Sequence, residues 1–569
     1  MKAAVLLIAI IGLAAFLRMY RLDTFPPGLY PDEAANTTDA IRAANTGHYL
    51  AFYSNNNGRE GLFMNLIALS FKAFGTNIVT LRMVSATVGT LTVVAMYFLG
   101  KSMFGRKAGL IASFLVAVSY WHLNFSRISF RAIQVPLILA ASFTFLVFAY
   151  KKAAQFISEH QKPDLSIIRA SQALFVLAGL VFGIGFHTYI AFRVAPAVVF
   201  VFFFLIFLAH PKTRFTVKHL IAIPLLLFML GTVVTASPMI YHFVKHPEHL
   251  NARQNDNSIS ALDPQNNHGD ILGTLLKTFT QTFGQFLYRG DLNWRHNLPP
   301  NPELSPFVAI MFLLGLCLAL TFLFLGLKHI WTAKDKKADF SRVQNNIVFY
   351  GTLLAWLVIM LSPAYLTVEG LPHALRSIGS LPAVFLLSTM PIVFILNAKL
   401  PRQNTKDPVL NTLGTLFFRL KSGIIFLSLA VTALQTYMNY FHIWGPSPQA
   451  ASAFERRLVN IGNYLAQSDP EKTKYVVVNY RAKFTDLGFP VSLETIHFFT
   501  YQKARNVVYL LPEQISGISP LGDFEVVVQR RDDALIARLK ENLPVVEQEI
   551  SMTPSIIDTS FITLQKKTN

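Results

Sequence analysis

The sequence contains little charge and a single cysteine. Only 14% of the 569 residues are Asp, Glu, Lys or Arg, whereas 53% are hydrophobic and the mean hydropathy is +0.42. This composition excludes a disordered chain, a coiled coil, collagen and a set of ordinary soluble domains. Because Cys317 is the only cysteine, an intrachain disulfide and a cysteine-based zinc site are excluded as well.

Nucleotide-binding and metal motifs are also missing. The sequence has no Gly-x4-Gly-Lys-Ser/Thr phosphate loop, no Gly-x-Gly-x-x-Gly fingerprint, no His-Glu-x-x-His motif and no Asp-x-Asp pair suited to a metal-bound nucleotide sugar. The sequence therefore predicts no nucleotide-dependent chemistry. An activated group would have to arrive on another carrier, and a lipid is the carrier available at an outer membrane surface.

What the sequence does contain is a series of apolar blocks of about 20 residues, the length that spans a bilayer. The first block, residues 3–17, runs into Arg18 with no small-x-small cleavage site, so a retained anchor helix is favoured over a secretory signal. The sequence predicts a polytopic α-helical membrane protein with about eleven spans. After the anchor they lie at about 80–100, 108–126, 132–150, 170–187, 193–209, 219–241, 306–327, 346–366, 377–397 and 422–441.

The net charge of +19 is confined to the membrane part. Beyond Phe441 the chain has 14 basic and 14 acidic residues, so the excess of base belongs to membrane loops and predicts no nucleic-acid partner. Lysine dominates one set of loops, which predicts a cytoplasmic N-terminus in the plasma (inner) membrane. Arginine dominates the opposite, outer set, which favours an anionic ligand there; the alternative is that these arginines reach the headgroups of membrane lipids.

Two domains are predicted. Residues 1–441 form the transmembrane domain, with long outer loops at about 20–79 and 242–305. Within the first loop, Gly61 to Phe74 is too short to cross and predicts a helix along the interface. Residues 442–569 predict a small α/β extracytosolic domain, since an odd number of spans places it outside. Its predicted helices are Gln449–Gln467 and Asp532–Leu543, and its predicted strands are Tyr475–Asn479, Asn506–Leu511 and Phe524–Gln529.

Three polar motifs in these outer loops have two interpretations each. Tyr30-Pro-Asp-Glu33 places acids at the membrane boundary, where a carboxylate can act as general base, but it is also an ordinary helix start. Gly58-Arg-Glu-Gly61 could hold a phosphate or form a surface ion pair. His242, His246 and His249 have helical spacing for a metal, although Pro247 favours a surface stripe.

Several segments together resemble bacterial GT-C glycosyltransferases. The closest group is the protein O-mannosyltransferase-like family 39, which also includes lipid A aminoarabinose transferases, and the resemblance covers about residues 1–400. It is carried by Pro31-Asp-Glu-Ala34, Leu81-Arg-Met-Val-Ser85, Phe186-His-Thr-Tyr-Ile-Ala-Phe-Arg-Val-Ala-Pro196, Gly290-Asp-Leu-Asn-Trp-Arg-His-Asn-Leu-Pro299 and Glu369-Gly-Leu-Pro-His-Ala-Leu-Arg376.

The resemblance implies transfer of a sugar from a polyprenyl-phosphate donor to an acceptor on the outer face, usually with inversion. Asp32 would be the base and Glu33 its neighbour, and Arg59 stands where many relatives have a phosphate-binding lysine. Residues 126–131 supply arginines but no second acid, so no metal and no cofactor are expected, with a divalent cation as the alternative. The predicted substrate-binding residues are Arg59, Glu60, Arg82, Tyr189, Arg193, Arg253, Arg295, His373 and Arg376.

A non-catalytic alternative is a lipid or glycan flippase or transporter, which would also need many helices and outer arginines. Transporters tend to show internal repeats and charges at mid-membrane depth, and neither is clear here. The sequence identifies neither the sugar nor the acceptor, which could be protein, lipid or cell-wall glycan.

The lysine distribution makes a topological prediction. In a Cys317→Ser background, a cysteine placed after Phe441 should react with an impermeant reagent from outside intact cells. A cysteine placed within residues 334–339 should react only after permeabilisation, because lysine-rich loops stay on the cytoplasmic side. Labelling of both positions from the same side would contradict the predicted number of spans.

Overall fold

The computed structural model describes residues 2–55, 58–158, 165–251, 260–332, 340–398, 408–480, 490–519, 521–552 and 559–566. Two sequence-based expectations, the substrate contact of Arg253 and the inner loop at 334–339, lie outside the described residues.

The described residues form helices and seven strands. The strands are β1 Phe52–Tyr53, β2 Arg59–Glu60, β3 Thr473–Val477, β4 Val507–Leu510, β5 Phe524–Val528, β6 Val545–Ile550 and β7 Phe561–Lys566. The α-helices are α1 Lys2–Met19, α2 Pro31–Thr46, α3 Leu62–Phe74, α4 Ile78–Phe104, α5 Arg106–Ala117, α6 Tyr120–Phe125, α7 Gln134–Ser158, α8 Leu165–Ile184, α9 Ala195–Ala209, α10 Arg214–Val217, α11 Ile223–Lys245, α12 Pro247–Asn251, α13 Pro264–Asn267, α14 Ile271–Gly284, α15 Pro306–Thr332, α16 Phe340–Tyr365, α17 Leu381–Asn397, α18 Pro408–Tyr437, α19 Pro448–Ala453, α20 Arg456–Gln467, α21 Val491–Thr500 and α22 Asp533–Asn542.

Ten helical segments of the described chain are long and apolar enough to cross a membrane. They contain α1, α4, α7, α8, α9, α10 with α11, α15, α16, α17 and α18, and α10 continues into α11 through a turn of π-helix at Lys218–Ala222. The predicted class, a polytopic α-helical membrane protein with a small C-terminal α/β region, is confirmed.

The predicted span at 108–126 is different in the structure. It is divided into α5, of 12 residues, and α6, of 6 residues. The break lies at Val118 and Ser119, where the Ser119 hydroxyl accepts a hydrogen bond from the backbone N–H of His122 at 3.2 Å and starts a new helix. The described residues therefore contain ten continuous helical segments of span length rather than about eleven. The C-terminal region lies on the side opposite to the N-terminus only if the divided segment of α5 and α6 also crosses the membrane.

Residues 1–20, 85–126 and 131–439 form one compact unit. In its interior α8 packs directly on α11 because Gly179 and Gly183 leave the α8 backbone open on that face. Thr235 of α11 donates its hydroxyl to the carbonyl of Leu180 at 2.7 Å, as expected for helices that associate through small and hydroxyl-bearing residues. Nearby, the ring of Phe143 lies 4.4 Å from that of the buried Trp356.

Residues 21–84, 127–130 and 440–569 form the second unit. Its C-terminal part contains a five-stranded sheet in the order β4-β3-β5-β7-β6, in which β3 pairs in parallel with β4 and β5 while β7 pairs antiparallel with β5 and β6. Its N-terminal part contains the β1/β2 hairpin, α3 and α2, which packs against α21. The contacts thus group the first long loop with the C-terminal region, whereas the sequence-based division at Phe441 assigned it to the membrane domain.

The predicted C-terminal elements match the structure, with three elements missed and one predicted helix broken. Strands β3, β4 and β5 and helix α22 lie within two residues of their predicted bounds, and the predicted helix at 449–467 is broken at Glu455, which has a positive φ of 51°. Strands β6 and β7 and helix α21 were missed. Strand β6 has Glu, Gln and Glu between two valines and an isoleucine and is largely exposed, so its sequence lacks the apolar run of a buried strand.

We expect Gly179→Leu to destabilise the protein. A Cβ at position 179 would overlap the carbonyl oxygen of Phe228, and backbone cannot move aside as a flexible side chain can. Overpacking of this kind typically costs about 1–3 kcal/mol. The measurement is the thermal midpoint in detergent by fluorescence-detected size exclusion. Gly12→Leu is the control, since a Cβ there has no atom within 4 Å; equal midpoints for the two variants would contradict close α8/α11 packing.

Candidate active site

The acidic motif after the first span begins a helix. Tyr30 is extended, with φ −68° and ψ 144°, and Pro31 occupies the first helical position of α2. The Glu33 carboxylate accepts a hydrogen bond from the backbone N–H of Tyr30 at 3.3 Å, which satisfies a donor that has no partner within the helix. The helix-start interpretation of this motif is therefore confirmed for Glu33.

Glu33 also fixes a second piece of chain. It is fully buried, and its Oε1 accepts a hydrogen bond from the backbone N–H of Ser129 at 2.8 Å. Burial raises the pKa of this carboxyl, while the positive charge of Arg82 and the two backbone N–H groups act in the opposite direction. Asn36 of the same helix donates to the Ser129 carbonyl at 2.8 Å, so both backbone groups of Ser129 are held by α2.

Asp32 has a different environment from its neighbour. It is partly exposed, whereas Glu33 beside it is completely enclosed. Negative charge at the first turn of α2 is favoured by the helix dipole. The adjacent acids therefore differ in accessibility, and of the two only Asp32 is partly exposed.

Arg82 and Arg127 hold the chain that precedes α2. Both guanidinium groups are fully buried. Arg82 donates to the carbonyls of Leu22 at 3.2 Å, of Pro26 at 3.0 Å and of Gly28. The contacts of Arg127 are of the same kind: it donates to the carbonyls of Arg21 at 3.1 Å and Phe25 at 3.0 Å and stacks over the rings of Tyr440 at 5.2 Å and Phe441 at 5.0 Å. These arginines position the turn that carries the acids.

Arg59, predicted to bind phosphate, is 1% exposed. Its guanidinium forms an ion pair with Asp39 and donates to the side-chain oxygen of Asn36 at 2.6 Å and to the Asn55 carbonyl at 3.2 Å. A phosphate would reach this group only after the ion pair opened. Glu60, next in strand β2, is also buried. Substrate binding by these two residues stays a prediction, and their contacts in the structure are internal.

Helix α21 packs against α2 and holds it in place. The hydroxyl of Thr38 on α2 donates to the Glu494 carboxyl, and the hydroxyl of Thr495 donates to the Leu29 carbonyl at 3.1 Å, one residue before Tyr30. Burial raises the pKa of Glu494 to about 7, with the Thr38 hydrogen bond acting in the opposite direction. No sequence motif indicated this support, because the two partners lie 456 positions apart.

A second polar cluster lies in the other unit, where Asp291, His296 and His373 meet. The Oδ2 atom of Asp291 accepts from Nδ1 of His296 at 2.8 Å and from the backbone N–H of Ala374 at 2.9 Å, and it lies 3.8 Å from Nδ1 of His373. Glu303 accepts from the Asp291 backbone N–H at 3.1 Å. Such a set of carboxylate and imidazole groups suits a divalent metal or a proton relay.

Burial and neighbouring charge separate the pKa values in this cluster. Burial, with the negative charge of Asp291 added, raises the pKa of Glu303 well above its usual range. Burial also raises that of Asp291, but the nearby imidazoles of His296 and His373 outweigh it and leave the pKa lowered. The pKa of His373 is lowered well below its usual value by burial first and then by His296 and Arg376.

The remaining predicted substrate residues are partly exposed side chains of the same unit. Arg376 donates to the Thr367 hydroxyl at 2.7 Å and to the Glu369 carbonyl at 3.2 Å. Arg193 donates to the Leu250 carbonyl at 2.7 Å, and Arg295 donates to the Asn293 side chain at 3.1 Å. The Tyr189 ring lies 5.4 Å from the Arg131 guanidinium. Sequence reasoning selected His373 and Arg295 but missed Asp291 and His296, although both stand in the segment 290–299 that carried the resemblance.

Comparisons with known proteins agree with this architecture. The family model for dolichyl-phosphate-mannose-protein mannosyltransferase matches residues 62–242, about a third of the chain. No curated protein matches the chain in sequence. ArnT from Cupriavidus metallidurans in the apo state superposes with a TM-score of 0.55, and the same protein bound to undecaprenyl phosphate with 0.52. Each match has 12% identity and covers 99% of this chain and 97% of ArnT. At this identity the likeness shows the fold, so the predicted GT-C fold is confirmed.

Glu494 makes the support of α2 dependent on pH. Its folded-state pKa of about 7 lies above the usual value of 4.5, so its protonated form stabilises the fold at low pH. That contribution, on the order of 3 kcal/mol, is lost as pH rises from about 4.5 to about 7. Glu494→Gln should therefore gain thermal midpoint relative to wild type between pH 5 and pH 8. The exposed Glu541→Gln is the control, and a constant difference across this range would refute the assignment.

Proposed function

We propose that the protein is an inverting glycosyltransferase that moves a sugar from a polyprenyl-phosphate donor to an acceptor on the outer face of the plasma membrane. The acceptor is a protein, a lipid or a cell-wall glycan, and the donor sugar is a hexose or a pentose. In this proposal the N-terminus is cytoplasmic and residues 442–569 are extracytosolic. The observation that carries the proposal is the accessible Asp32 carboxylate beside the buried Glu33, at the start of a helix that follows the first span.

The chemistry requires one base and a good leaving group. Asp32 accepts the proton of the acceptor hydroxyl as that oxygen forms a bond to the anomeric carbon of the sugar. The bond from the anomeric carbon to the phosphate oxygen breaks at the same time, and the lipid phosphate leaves with the electron pair. A single displacement of this kind inverts the anomeric configuration.

Glu33 has a positioning role in this proposal. Both of its carboxylate oxygens accept backbone hydrogen bonds, from Tyr30 and from Ser129, and it has no exposed surface. A buried carboxyl that fixes two backbone segments holds the neighbouring Asp32 in one orientation. Positional precision of this kind supports catalysis because small displacements of a catalytic group are costly in rate.

The predicted phosphate-binding arginines differ in exposure, and this difference makes some of them better candidates for the donor phosphate. Arg59 and Arg82 are buried with internal partners, whereas Arg193, Arg295 and Arg376 are partly exposed. A partly exposed guanidinium group can bind a phosphate in two-point fashion. We therefore favour Arg193, Arg295 and Arg376 as the candidate phosphate ligands, and the proposal includes no metal in the transfer step.

Two comparisons support a polyprenyl-phosphate donor. The family model that matches residues 62–242 describes enzymes that use dolichyl-phosphate-mannose, and the ArnT structure of the same fold was solved with undecaprenyl phosphate. Both are long-chain polyprenyl phosphates. The ten apolar helical segments of this chain provide the membrane setting in which such a lipid is available.

The decisive variant is Asp32→Asn, which keeps the size of the side chain but removes the base. Loss of a general base typically lowers the rate by about 10²–10⁴-fold, while loss of one negative charge from the first turn of α2 costs only about 0.3–1 kcal/mol of helix stability. We expect a stable, membrane-inserted protein without measurable transfer of sugar from polyprenyl phosphate. Transfer is measured by mass spectrometry of envelope glycans and of the lipid-linked donor in reconstituted vesicles.

Two companion variants make this experiment specific. Glu33→Gln should lower activity by no more than about tenfold, because it removes an acceptor of one backbone hydrogen bond rather than the base. Asp270→Asn changes an exposed helix cap of α14 and should leave transfer unchanged. Full activity of Asp32→Asn would return the motif to a helix start alone, and a larger loss in Glu33→Gln than in Asp32→Asn would exchange the two roles.

A further inference from the structure

The cluster of Asp291, His296 and His373 has the composition of a metal site. Each side chain offers one ligand atom, and the three atoms lie within 4.8 Å of one another. Asp291 and His296 are buried and His373 is nearly so, with 15% of its side chain exposed. One carboxylate with two imidazoles is a ligand set that suits zinc and other first-row divalent cations.

Two of the three ligand separations are close to those around a tetrahedral ion. Ligand atoms about 2.0–2.1 Å from a tetrahedral zinc ion lie about 3.3 Å apart. In the structure Oδ2 of Asp291 is 2.8 Å from Nδ1 of His296 and 3.8 Å from Nδ1 of His373. Shifts of about half an ångström bring both pairs to that separation, and the ion replaces the proton that the Asp291 carboxylate shares with His296.

Two buried polar atoms in this region lack hydrogen bonds. Nδ1 of His373 has no hydrogen-bond partner among the described residues, although it faces the Asp291 carboxylate at 3.8 Å. The Oε2 atom of Glu303 likewise has none within the described chain, while its Oε1 holds the Asp291 backbone N–H. Buried polar groups are normally satisfied, so these two atoms indicate a missing partner.

The surroundings hold the ligands in place. The Asp291 carboxylate accepts from the backbone N–H groups of Asn293 at 2.8 Å and Ala374 at 2.9 Å, which fixes both of its oxygens. The Ala374 carbonyl accepts from the indole N–H of Trp121 at 3.1 Å, and the ring of Phe125 lies 5.6 Å from that of His296. Outer hydrogen bonds and apolar cover of this kind orient metal ligands and strengthen binding.

The three ligands come from two loops on one side of the membrane. Asp291 and His296 lie between the spans that end at Lys245 and begin at Pro306, and His373 lies between those that end at Tyr365 and begin at Ile378. Two spans separate these loops, so both emerge on the same face. A shared ion would therefore join loops that are 77 residues apart in sequence at their closest ligand pair, His296 and His373.

We propose that Asp291, His296 and His373 bind one divalent cation of the zinc type, with a fourth position left for water or another ligand. The ion cross-links the loop at 290–303 to the connection that precedes α17. None of its ligands is the base proposed for sugar transfer, and its test does not depend on that activity.

The test uses the full-length protein in detergent, purified without a polyhistidine tag and without chelator. Metal content measured by inductively coupled plasma mass spectrometry should approach one zinc ion per chain. After removal of metal with a chelator, added Zn²⁺ should raise the thermal midpoint of wild type, because an ion that binds only the folded state stabilises it. Co²⁺ added in place of Zn²⁺ should give the visible absorption of a tetrahedral complex.

The variants His373→Gln and His296→Gln should each lower bound zinc at least tenfold and remove the shift of the midpoint. His249→Gln is the matched control, because His246, Glu248 and His249 form the second candidate cluster of the described residues and are partly or fully exposed. If His249→Gln removes the zinc and His373→Gln does not, the ion belongs to that surface cluster. Wild-type protein that contains no metal and whose midpoint does not respond to added Zn²⁺ also overturns the proposal, whether or not the variants fold.

Discussion

Buried arginines that bind backbone carbonyls hold together the segments on which the candidate site depends. Arg18, Arg59, Arg82 and Arg127 are among the largest fully buried side chains. Where a chain leaves a membrane helix, its carbonyls lose their helical partners and are costly to leave unpaired. A guanidinium carries five donors in a fixed plane and can satisfy several carbonyls together. Arg82 does so for three carbonyls between Leu22 and Gly28, and this fixes the irregular stretch before α2.

That fixed stretch allows two adjacent carboxyl groups to have different roles. Glu33 is enclosed and gives its oxygens to the backbone, at the cost of desolvation that the charge of Arg82 partly offsets. Asp32 sits one residue earlier on the helix and faces a different direction, since successive helical positions are rotated by about 100°. Enclosure of Glu33 and partial exposure of Asp32 give the two acids different environments, and the proposed function rests on this difference.

The arginines predicted to lie on the outer face show which features the sequence could predict and which it could not. Their accumulation on one predicted face led to the prediction of a common role in phosphate binding, which was assigned to buried and exposed members alike. Arg59 was predicted together with Arg376 to bind phosphate, yet it pairs with Asp39 on a neighbouring helix and is 1% exposed. Burial depends on which elements pack over a side chain, and no local pattern around Arg59 reports that. The same limit explains the span predicted at 108–126, where composition is continuous but the Ser119 hydroxyl begins a new helix.

The sequence by itself determined the fold class, the approximate position of every long span, the start of α2 and three of the five strands of the C-terminal sheet. These features follow from local periodicity and from cap residues, because hydrophobic length and turn chemistry act over a few neighbouring positions. Only the tertiary structure decided which polar residues meet. Thr38 finds Glu494 at a separation of 456 positions, and Asp291 and His296 find His373 across two membrane spans. Such pairings are set by the packing of whole helices and loops, and that geometry leaves no signature in the residues on either side of each partner.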